Sequence, residues 1–120
     1  MATQADFWGD IEPTEIRTPV SILREQAALL GGKTGYLIEG KVDTAVSGGM
    51  FRHSLSLVVP TLDNYEYELL KVRHGVELYP VTAGQQDLKT ESEFTNWLRQ
   101  RLSSAETRKV IGNLLAQAGS

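Results

Sequence analysis

Residues 51–59 read Phe51-Arg52-His53-Ser54-Leu55-Ser56-Leu57-Val58-Val59. Phe51, His53, Leu55, Leu57 and Val59 share one face, and Arg52, Ser54 and Ser56 take the other. Strict alternation of this kind marks a strand with one face covered and one face wet. The same period extends upstream, where Tyr36, Ile38, Val42 and Val46 alternate with Glu39, Lys41 and Asp43, and Ser47-Gly48-Gly49 supplies a turn between the two strands. Downstream, Pro60 to Asn64 is turn chemistry, and Tyr65 to Arg73 forms a third strand. His74-Gly75 is expected to make a tight hairpin turn leading into a fourth strand, Val76 to Val81. Pro80 lacks an N–H for the ladder, which puts that strand at a sheet edge. Connections this short join antiparallel neighbours, so the expected sheet is a four-stranded meander.

Helical patterns flank the strands. Thr18 can cap a helix whose first position suits Pro19, and Val20, Leu23, Ala27 and Leu30 recur at three-four spacing, flanked by Ile22, Gln26 and Leu29. Gly31-Gly32 is the expected stop. After the sheet, Thr90 and Glu93 form a capping box ahead of Phe94, Trp97, Leu98 and Leu102. Ser103 and Glu106 repeat the device ahead of Val110, Ile111, Leu114, Leu115 and Ala118, giving an αα-hairpin. Gly112 weakens that second helix by about 1 kcal/mol relative to alanine. Strands and helices are segregated along the chain, which points to an α+β fold: an N-terminal helix, a four-stranded antiparallel meander and a C-terminal helical hairpin. The third and fourth strands mix apolar and charged residues on both faces. That mixture points to a bulge, or to an interface on the second face.

The 120 residues suffice for one domain with its own core, expected over residues 18–120. Residues 1–17 show neither period and are expected to form an irregular arm. Composition narrows the chemistry. With 0 cysteines, disulfides, thiolate nucleophiles and zinc ribbons are excluded. The N-terminus lacks the basic and apolar regions of a signal peptide, and no apolar run approaches a membrane span, so a soluble, cytoplasmic protein is expected. A net charge of −3 gives no bulk attraction for polyphosphate.

Gly31-Gly32-Lys33-Thr34-Gly35 contains the Gly-Lys-Thr of a phosphate-binding loop. The full pattern wants a glycine at position 27, where the chain has Ala27, and a strand before the loop. Here a helix precedes it, so no amide cradle is expected. His53 is expected as a hydrogen-bonded core or sheet-edge imidazole, and His74 as a turn residue. The two histidines form no recognisable metal-ligand cluster. Glu66 and Glu68 sit on one strand face with Leu70 and Val72, which suits a solvated strand end rather than an acid–base pair. No nucleophile elbow is present. No cofactor motif is present either.

Two patterns point to partners. In the arm, Phe7 and Trp8 either tuck against the domain edge or stand free as an aromatic anchor for another protein. On the third strand, Tyr65 and Tyr67 with Lys71 and Arg73 are expected on one face, where they could stack and neutralise single-stranded nucleic acid. Lacking a convergent catalytic set, the chain is expected to be a non-enzymatic protein-binding module: an adaptor, chaperone-like or regulatory subunit, able to self-associate as a homodimer. Single-strand binding is the alternative. A small-molecule binder or atypical enzyme with a site between sheet and helices is the third reading.

Overall fold

The structure is a computed structural model and describes residues 5–120. The elements run α1 (Pro19–Lys33), β1 (Glu39–Ser47), β2 (Met50–Val59), a short 3-10 turn (Pro60–Leu62), β3 (Tyr65–His74), β4 (Val81–Ala83), β5 (Gln86–Leu88), α2 (Glu91–Leu102) and α3 (Ala105–Ala118). All strands belong to one antiparallel sheet in the order β1-β2-β3-β4-β5. The fold is therefore α+β with an antiparallel meander, as the alternation implies, but with five strands rather than four.

Helix α1 begins as its cap predicts, with the Thr18 hydroxyl accepting from the Ser21 N–H at 3.2 Å and Pro19 in the first position. It passes through Gly31-Gly32 and ends at Lys33, later than the glycine pair suggests. Thr34 closes it instead. Its N–H bonds the Leu30 carbonyl at 3.1 Å, and its hydroxyl accepts from the Ile38 N–H at 3.2 Å. Gly35 and Tyr36 then reverse the chain at φ 60° and 63°. Tyr36 thus lies in the reversal, not in the first strand, and the Lys33-Thr34 pair lies at a helix end rather than beneath a phosphate. The helix lies on β1 where Gly40 permits close approach, since a Cβ there would sit 2.6 Å from the Ala27 Cα.

The β1–β2 hairpin turns on Gly48 and Gly49, both at positive φ (58° and 76°), which is what a two-residue turn of this kind needs. Between β2 and β3 the register slips: Leu55 pairs with Leu70, but Ser56 pairs with Glu68. Leu69 is the extra residue of a bulge, and both Leu69 and Leu70 are buried. The Arg101 guanidinium on α2 donates to the Leu69 carbonyl at 3.0 Å and so satisfies a backbone group near the slip.

The expected fourth strand does not form at Val76–Pro80. Leu78 takes φ 73°, outside strand geometry, and the Leu78 and Tyr79 amides bond Gly75 O at 3.1 Å and Glu77 O at 2.8 Å, so this segment is a loop. Only Val81 of the expected range is in a strand, β4, which folds back on β5 around Gly84-Gln85. His74 is the last residue of β3 and is buried, not a turn residue.

The capping box at Thr90 and Glu93 is present in both directions, with Thr90 Oγ1 accepting from Glu93 N–H at 3.1 Å and the Glu93 carboxylate accepting from Thr90 N–H at 3.1 Å. Helix α3 is capped by Ser104, one residue later than expected, because the Ser104 hydroxyl accepts from Thr107 N–H at 3.2 Å. Phe94, Leu23, Ile38, Leu57, Val59, Val72 and Val81 are all fully enclosed between the sheet and the helices. No helix of the described residues is long and apolar enough to cross a membrane.

Residues 5–17 contain no helix or strand. The first four residues of the expected arm lie outside the described residues. The radius of gyration is 18.3 Å, against about 14 Å for a compact domain of this length, and the principal-axis extents are 70 × 36 × 25 Å.

Candidate functional site

The arm is rooted firmly and then departs. The Arg17 N–H donates to Glu91 Oε1 at 3.0 Å, the Tyr79 hydroxyl donates to the Arg17 carbonyl at 2.9 Å, and the Arg17 guanidinium pairs with Glu25. Burial first, and then Glu91, push the Tyr79 hydroxyl up to about 12, so it stays protonated and keeps donating. Beyond this root the apolar side chains are left mostly exposed among the described residues. Phe7 is 95% exposed, Trp8 81%, Ile11 74% and Ile16 55%. The Asp6 carboxylate accepts from the Trp8 N–H at 2.9 Å, a local turn that presents the indole outward. Phe7 and Trp8 do not tuck against the domain edge; both side chains stand exposed.

On β3 the bulge separates the residues expected together. Tyr65 and Tyr67 pair with Val59 and Leu57 on the covered side of the sheet, whereas Lys71 and Arg73 pair with Ser54 and Arg52 on the open side. The shared face expected for Tyr65, Tyr67, Lys71 and Arg73 is therefore corrected, since one extra residue at Leu69 reverses the alternation. For the same reason Glu66 and Glu68 lie opposite Leu70 and Val72, not beside them. Lys71 is also held by Glu68 at 3.5 Å. On the open face, Arg52 and Arg73 stand directly across from each other.

The two histidines, far apart in sequence, meet in the core. His53 is 3% exposed and His74 4%. Their Nε2 atoms are 2.9 Å apart, Thr44 Oγ1 lies 2.9 Å from His53 Nδ1, and His74 Nδ1 lies 2.7 Å from the Gly75 carbonyl. A carbonyl only accepts, so His74 Nδ1 carries the proton and its Nε2 accepts. His53 then donates through Nε2 and accepts the Thr44 hydroxyl at Nδ1. Burial, His74 and Arg24, in that order, hold His53 well below its ordinary value, at about 4. The chain of bonds is closed, and it ends on a carbonyl rather than on a nucleophile. Sequence reasoning placed His53 correctly on the covered face but missed the pair, because their meeting depends on the β2–β3 register.

A groove of about 440 Å³ runs between α1, the sheet and the two C-terminal helices. Ile22, Leu57, Leu69, Leu98, Leu102 and Ile111 line it, and Lys33, Arg99 and Arg108 stand around it. Its size lies within the range of ~300–1,000 Å³ typical of ligand sites. It lies between sheet and helices, as the third reading required, but neither His53 nor a strand carboxylate, the groups that reading needed, lines it. Among the described residues no group of three or more His, Asp or Glu side chains gathers as a metal site would require.

Comparison with protein-family models, curated proteins and solved structures gave no match.

Proposed function

We infer that the chain is a protein-binding module without catalytic activity of its own, an adaptor, chaperone-like or regulatory subunit, and that Phe7 and Trp8 are its anchor. The observation that carries this reading is the arm: four large apolar side chains between Phe7 and Ile16, all more than half exposed, on a segment tied to the body at a single root. Leaving such a patch in water is costly at roughly 25 cal/mol per Å², and aromatic side chains are the usual anchors of interfaces. The buried histidine chain supports the same reading, since the titratable groups most distant from solvent are satisfied by each other and by backbone. The separation of Tyr65 and Tyr67 from Lys71 and Arg73 weakens the case for single-strand binding on the open face.

The test is affinity capture from native lysate, with and without nuclease, using the full chain and a Phe7→Ala/Trp8→Ala variant. A stoichiometric partner that survives nuclease and is lost with the variant is the expected result. Identical partners on both baits would sink the anchor; partners lost only to nuclease would favour nucleic acid.

A further inference from the structure

Residues 1–16 contain Asp6, Asp10, Glu12 and Glu15 and no basic residue, so they carry −4. The whole chain carries −3, which leaves +1 for residues 17–120. The arm is thus acidic and apolar at once, and the body it leaves is slightly basic. The groove has the opposite character to the arm. Its walls are leucine and isoleucine, and Lys33, Arg99 and Arg108 around it pair with no carboxylate among the described residues. Apolar walls suit Phe7, Trp8 and Ile11, and the three cations suit Asp10, Glu12 and Glu15.

We propose that this groove receives the arm of a second copy of the chain, and that two copies exchange arms reciprocally. The proposal rests on the reading of the arm as a protein-docking element and names the partner. Within one chain the arm is not in the groove: Phe7 and Trp8 are exposed, and Glu91, Tyr79 and Glu25 fix its root at Arg17, which restricts how the segment can swing back. A second copy meets no such constraint. The area is adequate. Two aromatic side chains per arm, at about 150–250 Å² each, give roughly 600–1,000 Å² from the rings of both arms, and the groove walls they cover add a comparable amount. That reaches the roughly 1,200–2,000 Å² of a stable interface. The exchange is also symmetric and closed, so it stops at the dimer.

The experiment is sedimentation equilibrium across micromolar to submillimolar concentrations. It compares the full chain, Phe7→Ala/Trp8→Ala, and Lys33→Glu/Arg99→Glu/Arg108→Glu. All substituted positions are exposed, and thermal melts check that each variant folds. The full chain should reach twice its 13.3 kDa mass, and each variant alone should remain at the monomer mass. Mixing the two variants should restore a weaker dimer joined by a single arm, because one copy still has an intact arm and the other an intact groove. A full chain that stays monomeric, or a dimer that survives either variant, overturns the exchange. So does a monomer whose Trp8 emission, read in a Trp97→Phe background, is that of a buried indole, since the arm would then occupy its own groove. A monomer whose lysate partner is still lost on replacing Phe7 and Trp8 ends the exchange but leaves the docking reading standing. If replacing them changes neither mass nor capture, both fail.

Discussion

His53 holds its place in the core only as a neutral ring. Its Nδ1 accepts from Thr44 and its Nε2 donates to His74, so a second proton would face a hydroxyl that is already donating and would bring a charge into a site 3% exposed. Burial is the largest cause of its low value of about 4, against the ordinary 6.5. The sign follows directly. As pH falls from 6.5, the unfolded chain takes up the proton first, so stability is fully present above 6.5 and is lost as pH falls toward 4. Below that the slope from this group ends. The loss is on the order of 3 kcal/mol at ~1.4 kcal/mol per unit. Urea midpoints at a series of pH values should show it, and His53→Gln should flatten the curve across that window relative to the parent. Parallel curves for parent and variant would mean that His53 takes up its proton at the same pH in the folded and unfolded chain, and that burial does not hold it neutral.

At the scale of elements, two joints hold the layers together. The α1–β1 joint depends on Gly40, whose missing side chain lets Ala27 approach; a Cβ would meet the Ala27 Cα, Cβ and carbonyl oxygen at 2.6–2.8 Å. Backbone atoms cannot rotate aside, so Gly40→Ala should cost about 1–3 kcal/mol by overpacking, read as a lowered denaturant midpoint with unchanged slope. Gly32→Ala is the control, because that position is helical and has open space around it, and alanine there should be neutral or stabilising by up to ~1 kcal/mol. The second joint is the bulge, where Arg101 bonds the Leu69 carbonyl. Arg101→Ala should cost about 1–2 kcal/mol, since a charged donor is lost from a partly buried acceptor; an unchanged midpoint would show that water replaces the guanidinium fully. These joints also explain what the sequence disclosed. Thr18-Pro19, Ser47-Gly48-Gly49 and Thr90-x-x-Glu93 act within a few residues, and each appears in the structure as its local chemistry implies. Alternation named β2 and detected that β3 was irregular, but not which residue was extra, because only the pairing with β2 shows that Leu69 is. β4 and β5, three residues each, are too short to show a period. The Gly84-Gln85 turn between them was the one local signal available.

At the scale of the whole molecule, apolar surface and charge are distributed unevenly, and both point to the arm. Phe7, Trp8, Ile11 and Ile16 contribute no side chain to the core, so removing residues 1–16 should leave the body's stability within roughly 0.5 kcal/mol of the parent. The cut must spare Arg17, whose contacts with Glu91, Tyr79 and Glu25 tie the start of α1 to α2 and to the loop before β4. The same cut removes four carboxylates and no cation, which takes the net charge from −3 to +1. A protein held by an anion exchanger near neutral pH should then pass through it and bind a cation exchanger instead. If arm and groove pair between copies, the attraction is also electrostatic over distances comparable to the Debye length, about 8 Å at physiological ionic strength and ~3 Å at 1 M salt. Raising the salt should therefore weaken the dimer of the full chain. The apolar contacts of Phe7 and Trp8 should persist, so the loss should be partial. Complete dissociation would mean that the cations around the groove, rather than its apolar walls, hold the arm. A dimer that strengthens steadily with salt would place the contact on apolar surface alone and remove Lys33, Arg99 and Arg108 from the interface.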